Sequence, residues 1–198
     1  TIMKNLLLVT LLASCLAGCN SDSNDELMCH PFPLAIDINN YVVTPGQNEA
    51  NTALAYDAYT IKLGGVGEGV YSEGDEPDPN KEYADCPIPA VVLGSANTIT
   101  AINIYSSADY NSDFTAGTSL NSLFDITEMF DSDFDYYSDG NYASVEGFAS
   151  VFPTTAPIFI ELKPNQAPEV ESSHIFYIDI SFANGKTFVL ETEEVLLF

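Results

Sequence analysis

The chain has 198 residues, with 29 aspartates and glutamates against five lysines and no arginine, and its formal net charge is −24. Nucleic acids and anionic lipid surfaces attract proteins through cationic patches, so this charge balance argues against both as partners. The acidity is typical of a highly soluble protein or of a saline habitat, and cation binding is the sharper alternative. The length is sufficient for one domain with a substantial core.

The first residues have the pattern of an export signal. Lys4 precedes an apolar run, Leu6 to Leu12, that is too short to span a bilayer as a permanent helix. The run leads into the tetrapeptide Leu16-Ala17-Gly18-Cys19, which resembles the lipobox of bacterial lipoprotein precursors. That resemblance implies cleavage before Cys19, acylation of this cysteine, and firm attachment to a membrane by several acyl chains. An ordinary secretory signal with a chance cysteine is the alternative.

The lipobox divides the chain into three parts. Residues 1–18 are predicted to be a signal peptide, residues 19–30 a flexible acidic tether, and residues 31–198 a single domain. Asn20 stands where an inner-membrane retention signal would have aspartate. We therefore expect an outer-membrane protein, lipid-anchored on the periplasmic face or at the cell surface.

Two cysteines remain for the mature, exported body. Cys19 carries the lipid, so Cys29 and Cys86 are left in an oxidising compartment and are predicted to form a disulfide. Metal binding by both cysteines with His30 is the competing interpretation. It has little support, because His174 is the only other histidine and neither CxxC nor HxxxH spacing occurs.

Apolar residues that alternate with polar ones predict an all-β domain. Candidate strands of mixed pattern lie at residues 58–63 and 99–105. Three segments present one apolar face each: Leu34, Ile36 and Ile38; Ile158, Ile160 and Leu162; and Phe176, Ile178, Ile180 and Phe182. The architecture that this pattern favours is an immunoglobulin-like antiparallel β-sandwich with one short helical insertion and long acidic loops.

The last hairpin allows its register to be predicted. A three-residue loop that ends at Gly185 places Ile180 opposite Phe188 and Ile178 opposite Leu190, which keeps all four large side chains on the inner face. The same loop puts Gly185 at the left-handed position of a type I turn with a G1 bulge.

Two segments interrupt the strand pattern. Residues 64–85 are rich in glycine, proline and acids, and are predicted to form a long mobile loop. Residues 106–153 contain apolar side chains at helical spacing behind two possible N-caps, Thr118 and Ser119. This spacing predicts a short helix there.

Two stretches carry a second resemblance. Residues 104–124, IYSSADYNSDFTAGTSLNSLF, and residues 174–185, HIFYIDISFANG, resemble a family of uncharacterised Bacteroidota lipoproteins. The family is a domain of unknown function. The resemblance implies secretion, a lipid anchor and a compact body, and it supplies no substrate and no active-site residue.

Calcium is the one cofactor that the sequence suggests. Oxygen-bearing side chains alternate as at the start of an EF-hand loop, and the candidate ligands are Asp131, Asp133, Asp135 and Asp139. The pattern is incomplete, because Tyr136 occupies the position of the turning glycine and Tyr142 that of the bidentate glutamate. Residues 109–113 fail the same test. A solvated acidic loop without any cofactor is the default.

Aromatic side chains beside these acids suggest a contact surface. Tyr136, Tyr137 and Tyr142 supply broad amphipathic area for an envelope protein or a glycan, or else cover the open end of the sandwich.

Enzymatic activity has little support: no GxSxG elbow occurs, and His174 begins a predicted strand, where a half-buried structural role is usual. The prediction is a lipid-anchored, exported cell-envelope protein that acts as a binding or structural module. The alternative is a calcium-dependent or carbohydrate-binding surface lipoprotein.

Overall fold

The computed structural model describes Cys29 and residues 31–44, 52–74, 76–81, 83, 94–130 and 144–198, without the side chain of Phe130. Internal contacts divide the chain into two compact units. The larger unit comprises Pro31–Glu76 and Ile88–Phe198, and the smaller comprises Thr1–His30 and Pro77–Pro87. The predicted division into residues 1–18, 19–30 and 31–198 stays a prediction.

The larger unit confirms the all-β, sandwich-like fold, with 48% of the described residues in strands and 8% in helices. In chain order the strands are β1 (Ala35–Thr44), β2 (Ile61–Val70), β3 (Gly94–Ser95), β4 (Thr98–Ser106), β5 (Phe124–Phe130), β6 (Thr154–Thr155), β7 (Phe159–Pro164), β8 (Ser172–His174), β9 (Phe176–Phe182), β10 (Thr187–Glu191) and β11 (Val195–Leu197). The sheets have the orders β3-β1-β2-β7-β5, β10-β9-β4-β6 and β11-β8. The pairings among these strands are antiparallel except that of β1 with β3.

The core contains the inward-facing side chains of the two larger sheets. Tyr41 of β1 makes edge contacts with Phe182 and Phe188, at ring-centroid distances of 6.1 and 6.0 Å. The buried hydrophobic residues of these sheets form one cluster: Ile38, Tyr41, Ile61, Leu63, Phe124, Ile126, Met129, Ile160, Leu162, Ile99, Ile102, Ile104, Phe176, Ile178, Ile180, Phe182 and Leu190. The alternation predicted for β9 is thereby confirmed.

A β-bulge changes which residues of β1 face the core. The register with β2 shifts between Ile38 and Asn40, so that Ile38 and Tyr41 are both buried although they are three residues apart. The N–H of Ile38 donates to the side-chain oxygen of the buried Asn97 at 2.5 Å. Leu34 is 67% exposed, and its prediction as a core residue was wrong because it lies just before the strand begins.

The glycine-rich segment at residues 64–70 is strand, not the start of a mobile loop. It continues β2 and pairs with β1 as far as Val70 opposite Ala35. A Cβ at Gly67 would lie 2.1 Å from the carbonyl oxygen of Asp37, so the backbones approach more closely there than a side chain permits. The glycines therefore mark close packing of two strands.

The predicted hairpin is confirmed. Ile180 lies opposite Phe188 and Ile178 opposite Leu190, as the three-residue loop requires. Gly185 has a φ of +84°, in the left-handed region, and its N–H donates to the carbonyl of Phe182 at 3.0 Å.

The helical insertion is smaller than predicted. Only a 3₁₀ turn, Asn121–Leu123, forms after Leu120, and no side chain caps it. The predicted cap Thr118 instead donates its hydroxyl to the carbonyl of Thr115 at 2.6 Å. A short α-helix, α1 (Val145–Ala149), was not predicted and is capped by Ser144, whose hydroxyl accepts the N–H of Gly147.

Candidate binding surface on the four-stranded sheet

Most of the residues that the sequence singled out lie outside the described residues: Cys19, Cys86, Asp131, Asp133, Asp135, Asp139, Tyr136, Tyr137 and Tyr142. Cys29 is described, and it is disulfide-bonded. Because Cys86 is not among the described residues, the pairing of these two cysteines stays a prediction.

The second EF-hand-like segment is described, and its oxygens bond to its own backbone. Asp109 accepts the N–H of Ala116 at 2.7 Å. Asn111 accepts the N–H groups of Asp113 and Phe114, each at 2.9 Å. These bonds shape a compact turn. Within the ranges that the structure describes, no group of three or more His, Cys, Asp or Glu side chains is placed to hold a metal ion.

His174 lies in a buried polar cluster. Its side chain is fully buried, where the sequence suggested half burial, and it ends β8. Nδ1 lies 2.8 Å from the hydroxyl of Ser106, and Nε2 lies 2.8 Å from the hydroxyl of Ser172. The imidazole also stacks on the ring of Phe176 at 5.6 Å.

The hydrogen bonds around His174 determine its tautomer. Ser172 donates its only hydroxyl proton to the carbonyl of Val170, so it must accept from Nε2–H. Nδ1 of the neutral ring is then the acceptor for the hydroxyl of Ser106, which itself accepts the N–H of Ala108. Every polar atom is satisfied by a neutral imidazole. Burial lowers the pKa of His174, in agreement with this assignment.

Ser106 and His174 are hydrogen-bonded as a nucleophile and its base are in hydrolases, but neither side chain is accessible to a substrate. Ser106 is 3% exposed and His174 0%, so a substrate carbonyl has no approach to the serine oxygen in this conformation. The cluster joins the end of β4 to the end of β8. Its evident role is to position strands.

The outer face of the four-stranded sheet carries a different set of side chains. β4, β9 and β10 align three outward positions each, in the cross-strand rows Ala101, Ser181, Thr187; Asn103, Asp179, Val189; and Tyr105, Tyr177, Glu191. We call these nine positions the outer face. Its residues are all half-buried or exposed, and Val189 is 66% exposed.

A stacked tyrosine pair forms one end of the outer face. The rings of Tyr105 and Tyr177 lie 5.2 Å apart with an interplanar angle of 21°. The hydroxyl of Tyr105 donates to the carboxylate of Asp179 at 3.3 Å. The pKa of Tyr105 is raised mainly by burial and secondly by the negative charge of Asp179. The phenol therefore stays protonated and acts as a donor.

The signal for this surface was present in the sequence. In 176–182 the apolar residues that identified the inner face alternate with Tyr177, Asp179 and Ser181. What the alternation could not supply was the neighbour of β9, because β4 is more than 70 residues away and the Tyr105–Tyr177 contact depends on that pairing.

No protein-family model, curated protein or solved structure matches this chain. In the part of the chain that the structure covers, no helix combines the length and the apolar character needed to cross a membrane.

Proposed function

We propose that this chain is a lipid-anchored, exported protein of the cell envelope that acts as a binding or structural module. The observation that carries the proposal is the tetrapeptide Leu16-Ala17-Gly18-Cys19 behind its short apolar run. Modification of Cys19 with several acyl chains anchors the domain to a membrane without a spanning helix. The lack of an aspartate after Cys19 favours the outer membrane.

Two structural observations support this proposal. Cys29 is disulfide-bonded, and disulfides persist mainly in oxidising compartments such as the periplasm or the cell surface. The outer face of the β10-β9-β4 strands presents aromatic, amide and carboxylate groups at one surface. A rigid β-scaffold with such a face suits binding.

Replacement of the lipidated cysteine tests the anchor. In the native host, Cys19→Ser should move the protein from the membrane fraction to the soluble fraction and abolish incorporation of labelled palmitate. Cys15→Ser is the matched control, because that cysteine lies inside the signal peptide and should leave both readouts unchanged. Wild-type protein that takes up no palmitate, with a Cys19→Ser variant that still pellets with membranes, would contradict the proposal.

A further inference from the structure

We propose that the outer face, centred on Tyr105 and Tyr177, is a docking surface for an arginine-bearing segment of a partner protein. This inference deepens the proposed function, because it gives the binding module a surface and a class of partner. Two features of this face carry the inference, the stacked tyrosine rings and the carboxylates beside them. The negative charge of the whole chain is the third.

The tyrosine pair supplies a planar aromatic contact. Two rings at 5.2 Å and 21° form an offset stack, and such a stack leaves a ring face and ring edges for a third planar group. Both tyrosines are half-buried, so their positions are held by the sheet while part of each ring reaches solvent. A guanidinium group packs on such a ring by cation–π attraction.

Two carboxylates lie next to the rings in the sheet. Asp179 is hydrogen-bonded to the hydroxyl of Tyr105, and Glu191 lies directly across from Tyr177 in the next strand. Glu193 and Glu194 follow within three residues and are exposed. None of the nine outer-face positions is occupied by lysine or histidine. The face is therefore aromatic and acidic at the same end.

The aromatic rings and the carboxylates together favour one chemical class of partner over the others. An anionic partner is repelled both locally and by the formal charge of −24. A neutral glycan can stack on tyrosine but leaves the carboxylates without a counter-charge. A cationic segment satisfies both groups, and the charge of the whole chain steers it toward this protein.

Arginine fits the geometry better than lysine. Its guanidinium is planar, stacks on aromatic rings and presents several N–H donors in a fork that matches a carboxylate. A ring of the pair and the carboxylate of Asp179 or Glu191 are adjacent positions of the grid formed by β4, β9 and β10. One guanidinium can therefore contact both groups.

Nuclear magnetic resonance of the protein as purified from its host, in non-ionic detergent, tests the proposal. The tyrosines are labelled with ¹³C in the ring, and the signals are assigned with Tyr105→Phe and Tyr177→Phe variants. The probe is the capped peptide Gly-Arg-Gly-Arg-Gly, and the control replaces each arginine with neutral citrulline. We expect the signals of Tyr105 and Tyr177 to shift with the arginine peptide and not with citrulline.

Charge-matched variants locate the binding. Asp179→Asn with Glu191→Gln should weaken peptide binding by about two- to five-fold. Asp125→Asn with Glu128→Gln removes the same charge from β5 in the other sheet and should leave binding unchanged. Urea unfolding of each variant shows whether it is folded.

Three results would overturn the inference: equal shifts with citrulline, equal weakening by both variant pairs, or shifts with cellohexaose in the absence of shifts with the arginine peptide. The last would assign the face to glycans, and the second would reduce the effect to diffuse charge attraction. The measurement does not depend on acylation. Failure of the anchor and failure of the docking surface are therefore separate outcomes.

Discussion

The protonation state of the buried His174 affects the stability of this protein. The neutral ring donates from Nε2 and accepts at Nδ1, and both serine partners use their remaining hydrogen-bonding capacity on nearby backbone groups. Protonation at Nδ1 would turn it into a donor facing Ser106. The serine hydroxyl proton would then need a new acceptor inside the core.

The stability of the protein should fall as the pH is lowered through the range where free histidine titrates. Burial lowers the pKa of His174 in the folded state, so below about pH 6.5 the unfolded chain binds more protons than the folded one. The contribution is fully present above pH 6.5 and is lost as the pH falls. For one group the slope is at most about 1.4 kcal/mol per pH unit.

Urea unfolding between pH 7.5 and 5.5 measures this effect. His174→Gln should remove the slope, while His30 remains in both proteins as an internal control. A wild-type free energy of unfolding that stays constant over this range would contradict a depressed pKa. If the variant does not fold, the ring ¹⁵N shifts of wild-type His174 still report whether the neutral tautomer persists at pH 6.

In β2, glycine is required where the neighbouring backbone leaves no room for a side chain. Gly67 faces the carbonyl oxygen of Asp37 at a distance that excludes a Cβ, whereas a Cβ at Gly64 would meet only Val42, at an ordinary 3.7 Å. Two glycines of the same strand thus have different structural requirements.

Gly67→Ala should destabilise the protein by about 1–3 kcal/mol, because the β1 and β2 backbones must separate to admit the methyl group. Gly64→Ala is the matched control and should be neutral or slightly stabilising, since alanine lowers the entropy of the unfolded chain. Urea unfolding and amide hydrogen exchange of β1 and β2 give the comparison. Equal effects of the two substitutions would contradict the close approach at Gly67.

The elements that the sequence predicted are those whose signal is local. In β9 every second residue is large and apolar, and the register of its hairpin with β10 follows from Gly185 and three residues of loop. β1 departs from simple alternation because it contains a bulge. The N–H of Ile38 beside this bulge donates to the side chain of Asn97, which is distant in the chain. The glycine-rich part of β2 escaped prediction because the need for glycine at position 67 arises only from the backbone of Asp37 beside it.

At the scale of the whole molecule, the chain combines a strongly acidic exterior with an apolar core between sheets. The outer face was only half predictable: the alternation around Asp179 gave its β9 residues, and the pairing with β4 was needed to bring Tyr105 beside Tyr177. The buried role of His174 was likewise hidden, because Ser106 reaches it from another sheet.

Mass spectrometry of the N-terminal peptide, taken from protein purified out of host membranes, tests the central proposal most directly. The proposal predicts that the mature chain begins at Cys19 and that this residue carries a thioether-linked diacylglycerol. A mature chain that begins at another residue, or an unmodified Cys19, would contradict it.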